Sequence, residues 1–393
     1  MTDQAGGAGI SDSVDLLRQL VSFDTTSRNS NLALIEFLRD RLADHGVDSQ
    51  LYRDGSGGKA NLYATLGPQD VGGLMLSGHT DVVPVDGQDW SGDPFALREL
   101  DGQLYGRGAC DMKGFIAVAM ALLPALRRSE LRRPVHFAFT FDEEVGCLGA
   151  KDLAVQLRGM AVRPAFCLIG EPTGMRVVNG HKGRLAMRCH VHGKEGHSAL
   201  PDQACNAVEA AAEIIAKLKT LSRRLRDQGP HEPGFEPTHS TVQTGLVQGG
   251  TALNIVPRDC SFDFEIRNLP SQDPLTLFAE IERHAFEHVL PDMRRTAPDA
   301  AIAFQELSRA PGLLPNDDDA LLKVALAATG DNVARKVSFG TEAGLYQGAD
   351  IPTIVCGPGH IAQAHKPDEF VALDQLARCE DFLLHMIGEV CGR

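Results

Sequence analysis

The stretch LMLSGHTDVVP, residues 74–84, ends an apolar run on an imidazole and a carboxylate two positions apart, His79 and Asp81. In an extended chain, residues i and i+2 point to the same side, so the two side chains face one space. Alone, such a pair is an ordinary His–Asp hydrogen bond at a strand end. The pattern repeats along the chain. Asp142, Glu143 and Glu144 follow VHFAFTF, Glu171 follows FCLIG, His365 comes shortly after PTIVCGPG, and Asp111 sits in the Gly-rich loop YGRGACDMKG. Crowded carboxylates repel one another unless a cation neutralises them. Imidazole with carboxylate suits zinc, whereas calcium and magnesium prefer all-oxygen shells. His79, His365, Asp111, Glu144 and Glu171 are more than one tetrahedral zinc needs. If Asp111 bridges, each of two ions takes one His, one Glu and a share of Asp111, and the pair acidifies a water between them. Asp81 is then left to hold His79 in the right tautomer. Glu143, beside the ligand Glu144, is free to act as a general base.

Such residues need a scaffold that brings distant segments to one place. In open α/β sheets that place lies beyond the carboxyl ends of the strands. SDSVDLLRQLVSF and NLALIEFLRDRLADHG carry apolar residues at helical spacing. NLYATLG, LMLSGHTD, VHFAFTFDEE and AFCLIGEPT read as strands, and GFIAVAMALLPALRRS as one helix between two of them despite Pro124. This alternation predicts an α/β fold with a mostly parallel sheet and helices on both faces. The character of the chain changes near residue 183. GRLAMRCHVHG, an Ala-rich helix, STVQTGLVQGG, CSFDFEIRNL, a second helix and AIAFQELSR run in the order β-α-β-β-α-β, the ferredoxin-like arrangement. After Pro311 the α/β pattern returns. The expected organisation is a catalytic metal-binding domain in two parts, 1–182 and 311–393, interrupted by a smaller lid and dimerisation domain at 183–310.

The 393 residues suffice for two domains, and a formal charge of −14 argues against a nucleic-acid or membrane-surface binder. Nine scattered cysteines without a CxxC pair fit reduced thiols in a cytoplasmic protein. MTDQAGGAGISDS lacks the basic and apolar regions of a signal peptide. No run approaches the ~20 apolar residues of a membrane span. YGRGACDMKG does not match a phosphate-binding loop.

SGHTDVVP, YGRGACDMKG, DEEVG, GEPT, GKEGHSA and AHKPDEF, in this order over nearly the whole chain, resemble the motifs of the dizinc aminoacylase and carboxypeptidase-type metallohydrolases, a family that includes the acetylornithine deacetylases. The resemblance implies His79, Asp111 and Glu171 on one zinc and Asp111, Glu144 and His365 on the other. Cobalt is expected to substitute. It also implies Glu143 as base, Asp81 as orienter of His79, and, with the geometry a bridging carboxylate needs, a cis peptide between Asp111 and Met112. It implies His197 as a neutral donor to the substrate's amide oxygen, often from a partner subunit of a homodimer, and Asn254 and Arg267 as contacts to the substrate carboxylate. Relatives that cleave succinyl-diaminopimelate carry an arginine near FGTEAGLYQ. The acid here, Glu342, would suit a substrate with a distal ammonium, although it also reads as a plain helix start. The implied reaction is hydrolysis of an N-acyl amino acid, with N2-acetyl-L-ornithine as the expected substrate. Succinyl-diaminopimelate hydrolysis, a carboxypeptidase or dipeptidase activity, a zinc-dependent binding protein and a regulatory partner subunit are the alternatives. The free base Glu143 argues against mere binding.

Overall fold

The computed structural model describes residues 10–317 and 319–392. Most of the stretch read for a targeting signal, residues 1–9, lies outside the described residues. The chain forms two compact units, one of Met1–Asn179, Pro315–Arg335 and Thr341–Arg393, the other of Gly180–Leu314 and Lys336–Gly340.

The first unit contains most of an eight-stranded sheet. Its spatial order is Ser49–Arg53, Ala60–Leu66, Val135–Thr140, Leu74–His79, Phe166–Pro172, Thr353–Gly357, Val178–His181 and Arg335–Val337. The four strands from Val135–Thr140 to Thr353–Gly357 run parallel, with antiparallel strands on the flanks. Every residue of Leu74–His79, Val135–Thr140 and Thr353–Gly357 is buried. Strands covered on both faces read as continuous apolar runs, which is how these segments look in the sequence. Two adjacent residues show the double cover. Gly78 faces Met112 and Ile116 at the start of the helix Lys113–Ala121, while Ser77 faces Tyr346 of the helix Ala343–Gln347 on the other side.

The helix expected through GFIAVAMALLPALRRS is two helices, Lys113–Ala121 and Leu123–Arg128. Pro124 falls in the first turn of the second, where its missing N–H does no harm; inside one continuous helix it would remove a hydrogen bond. The edge strand Ser49–Arg53 and a small antiparallel sheet of Arg98–Leu100, Gln103–Tyr105 and Phe370–Ala372 were not anticipated, because such short segments carry too little periodicity.

The second unit is an antiparallel sheet in the order Thr241–Gly249, Asp259–Arg267, Arg184–His192, Ala301–Ala310. The helices Ala207–Gln228 and Pro274–His284 complete a β-α-β-β-α-β chain order. The asparagine Asn206 caps the first helix, accepting the N–H groups of Val208 and Glu209. Asp259–Arg267 buries alternate residues, so Phe262, Phe264 and Ile266 share a core with Ile214, Leu218 and Ile281.

Candidate metal centre

Parallel strands end at one edge of a sheet, and here that edge collects the chemistry. His79 ends Leu74–His79, Glu171 lies near the end of Phe166–Pro172, and Glu143 and Glu144 follow Val135–Thr140. His365 follows Thr353–Gly357, and Asp111 precedes the helix Lys113–Ala121. The Asp111–Met112 peptide is cis. Next to Glu171, Gly170 is required by close packing: a Cβ there would lie 1.8 Å from the Phe115 ring.

Asp111 lies between the two imidazoles. Its Oδ1 is 3.0 Å from His79 Nε2, and its Oδ2 is 3.3 Å from His365 Nε2. His79 Nε2 also lies 3.7 Å from Glu171 Oε1, and His365 Nε2 lies 3.0 Å from Glu144 Oε1. His79, Asp111 and Glu144 bring one donor atom each within 4.8 Å of one another, as do His79, Glu143 and Glu171. The second grouping includes Glu143, which the sequence reading sets apart as the base. By pairwise distance, each imidazole lies within 4 Å of one oxygen of Asp111 and of one glutamate, Glu171 for His79 and Glu144 for His365. His79 Nδ1 donates to the backbone carbonyl of Asp81 at 2.9 Å, which leaves Nε2 for the cluster.

Asp81 orients His79 mainly through that carbonyl; its carboxylate is more distant, 3.5 Å from Nδ1. The carboxylate has further partners, accepting the Ser27 hydroxyl at 2.7 Å and the N–H groups of Glu143 at 3.0 Å and Glu144 at 3.3 Å. Asp81 therefore fixes the backbone of both glutamates. Ser27 was missed, and no local pattern marks it. Asp142 and His365 hold left-handed φ angles of 54° and 61°, a conformation that costs roughly 1–2 kcal/mol outside glycine. Asp142 is held there by an ion pair with Lys59.

Burial pushes the Glu143 carboxyl up to about 8; His79 opposes the shift, and Glu144, Glu342 and Asp81 add to it. A carboxyl raised in this way has a pKa of the kind general-base catalysis calls for. Hydrogen bonds to Asp111 and Glu144 push His365 up to about 10. Burial also raises Glu171, against the charge of His79. Without metal, the cluster thus gathers protons. Mixed nitrogen and oxygen donors that demand positive charge fit zinc.

These shifts set the pH dependence of chelator-stripped protein. Both folded values lie above the ordinary ones, so the stability they provide is present at low pH and lost as pH rises, between 4.5 and about 8 for Glu143 and between 6.5 and about 10 for His365. The melting temperature of stripped protein should fall as pH is raised through this window, and zinc should flatten the slope. A melting temperature that rises with pH across the window would contradict the proton-holding cluster.

Glu342, the residue expected to meet a substrate ammonium, is 1% exposed and accepts hydrogen bonds from the Thr140 and Ser77 hydroxyls. Burial pushes it up to about 7. Nor does its side chain cap the helix; the Thr341 hydroxyl accepts the Ala343 N–H at 3.1 Å.

Within the second unit, His197 and Asn254 come together. His197 pairs with Ile255, and the Ser198 N–H donates to the Asn254 carbonyl at 3.2 Å. The exposed His197 accepts the Ala199 N–H on Nδ1 at 3.0 Å, so a neutral ring carries its proton on Nε2, free to donate outward. Arg267 is not with them. It ends the strand that Asp259 begins, nine residues and roughly 27 Å at about 3.4 Å per residue, and its Nε lies 3.4 Å from Glu265.

The sequence profile of peptidase family M20/M25/M40 matches residues 75–389. The chain belongs to this family. It is a metallohydrolase of the amidohydrolase kind. An acetylornithine deacetylase from Myxococcus xanthus is 36% identical over 98% of this chain and 100% of its own length. Among solved structures, an M20 family metallo-carboxypeptidase from Sulfolobus solfataricus superposes with a TM-score of 0.77 at 18% identity, covering 96% of this chain and 98% of its own. A dinuclear metal-binding M20 peptidase from Bacillus subtilis gives 0.66 at 18% identity, covering 96% and 97%. These structures share the fold.

Proposed function

We propose that the enzyme removes the acetyl group from N2-acetyl-L-ornithine, giving L-ornithine and acetate in arginine biosynthesis, with two zinc ions that cobalt can replace. The observation that carries amide hydrolysis is Asp111, with one oxygen on each imidazole and the raised base Glu143 nearby. The choice of substrate rests on relatives such as the Myxococcus xanthus acetylornithine deacetylase. His79, Asp111 and Glu171 would hold one ion, and Asp111, Glu144 and His365 the other. When bound, the ions polarise the scissile carbonyl and lower the pKa of the attacking water. Glu143 accepts that water's proton on its carboxylate and returns it to the amide nitrogen as the C–N bond breaks. Asp81 keeps His79 and the two glutamates in register. His197 donates from Nε2 to the carbonyl oxygen as negative charge builds there.

The substrate reading is tested by incubating zinc- or cobalt-loaded enzyme with a panel of N-acyl amino acids and measuring release of free amine. N2-Acetyl-L-ornithine should exceed N-succinyl-diaminopimelate and dipeptides in kcat/KM by roughly 10-fold or more, the scale of one pocket contact. Preference for the succinyl compound or a dipeptide would overturn it.

The second unit supports a homodimer. A full strand separates His197 and Asn254 from Arg267 within one chain, so these residues do not form one contact set there, and we assign His197 and Asn254 to the neighbouring chain's site. A His197→Ala protein mixed with a Glu143→Gln protein should then recover about a quarter of the parental activity on statistical exchange, because each heterodimer contains one intact composite site. No recovery despite proven exchange would contradict service between subunits. All nine cysteines are buried thiols, which suits a reducing compartment, and we place the enzyme in the cytoplasm. No helix among the described residues is long and apolar enough to cross a membrane.

A further inference from the structure

Glu369 takes no part in the chemistry above, yet it is 1% exposed and hydrogen-bonded at both oxygens. Its Oε1 accepts two backbone N–H groups, from Cys110 at 2.9 Å and from Asp111 at 3.0 Å. Its Oε2 accepts Arg107 Nη1 at 2.7 Å. Arg107 is itself fully buried, stacks over the Trp90 ring at 5.0 Å, and donates through Nη2 to Gln88 Oε1. Gln88 Nε2 then donates to the backbone carbonyl of His365 at 3.3 Å.

These bonds close a circuit. It begins at the N–H of Asp111, runs through Glu369, Arg107 and Gln88, and ends at the carbonyl of His365, four residues before Glu369 in the chain. The two segments joined are those that carry the shared carboxylate and one of the two imidazoles. They are also stitched side by side, since Phe370 pairs with Tyr105 and the Gly106 N–H donates to the Glu369 carbonyl at 2.9 Å. Beyond Gly106 the backbone bonds are local, from Arg107 to the Pro94 carbonyl at 2.8 Å, from Ala109 to Gly106 at 3.1 Å and from Lys113 to Gly108 at 2.8 Å, and none of these three ties residue 111 itself. The Glu369 carboxylate holds that loop at the residue whose side chain must face both imidazoles. The Gln88 contact holds His365 at its backbone carbonyl, where the chain takes a left-handed φ of 61°.

We propose that Glu369 is a positioning residue that sets the geometry between Asp111 and His365 and thereby the retention of metal, with Arg107 and Gln88 carrying its hold to His365. This rests on the metal-centre reading. Residues that orient metal ligands typically account for 10–100-fold in metal affinity.

The experiment is zinc titration of chelator-stripped protein against a chromophoric competitor. Circular dichroism and thermal melting of the same metal-free samples score the folded fraction. Glu369→Ala should weaken zinc binding per folded molecule by roughly 10–100-fold. The paired change Arg107→Gln with Glu369→Gln removes both buried charges but keeps an acceptor for the two N–H groups, and should recover most of that loss. Gln88→Ala, at a half-buried position outside the ligand set, should weaken one of the two equivalents and spare the other. Unchanged zinc affinity in folded Glu369→Ala and Gln88→Ala overturns the proposal. If Glu369→Ala does not fold, Gln88→Ala decides alone: loss at one equivalent supports the circuit, and no loss refutes it. A parental chain that retains no zinc would sink the metal-centre reading itself, a separate result from parental and variant chains that bind equally.

Discussion

Glu143→Gln should lower kcat by roughly 10²–10⁴-fold, the usual contribution of a general base, while metal content stays near that of the parent enzyme. Glutamine keeps the volume and the half-buried position but cannot take a proton. The backbone of residue 143 stays pinned by its N–H to Asp81 at 3.0 Å, so the side chain is altered without moving its neighbours. The Cys147 thiol, 3.4 Å from Glu143 Oε1, can donate to the amide oxygen as it does to the carboxylate. The comparison with Glu144→Gln carries the weight. Glu144 touches His365 at 3.0 Å, and its substitution should cost metal as well as turnover. Glu143 also lies within donor range of His79 and Glu171, so the opposite result has a structural meaning. If Glu143→Gln loses zinc as readily as Glu144→Gln, Glu143 is a ligand and the base lies elsewhere.

Asp111→Asn should fall at least as far, and for a different reason. Aspartate offers an oxygen to each imidazole-bearing side of the cluster, at 3.0 Å and 3.3 Å. Asparagine keeps one oxygen and turns an NH2 group toward the other side, where it can neither neutralise nor ligate a cation. A metal's stabilisation of developing charge is worth several kcal/mol, which corresponds to a rate loss on the order of 10³-fold. Bound zinc should drop alongside it, read by metal analysis after dialysis. The folded content of the variant should hold, because the Asp111 N–H stays on Glu369. Two retained equivalents with full turnover would remove Asp111 from its bridging role.

Much of this centre was legible in the sequence because parallel strands confine it. A buried parallel strand is a continuous apolar run, and whatever polar residue ends the run must lie at the ligand-binding edge. His79, Glu144 and Glu171 could be read that way, and Asp111 and His365 by the Gly-rich segments around them. What could not be read depends on distant partners. Ser27 meets Asp81 across 54 residues, and nothing in SFDTTSRNS marks it. Glu342 reads as a substrate contact or a helix start, and only the fold reveals that the Thr140 and Ser77 hydroxyls donate to it. Glu369 stood inside the quoted motif AHKPDEF, but its role needs the Asp111 loop brought against it. Arg267 and Asn254 read as contacts to one substrate carboxylate, and only the fold shows that Asn254 lies beside His197 while Arg267 lies at the other end of the strand Asp259–Arg267.

The most direct test of the account is anomalous diffraction at the zinc edge from crystals of the zinc-loaded enzyme. Two peaks are expected, one against His79, Asp111 and Glu171 and the other against Asp111, Glu144 and His365. A single peak, or two peaks that do not share Asp111, would contradict it.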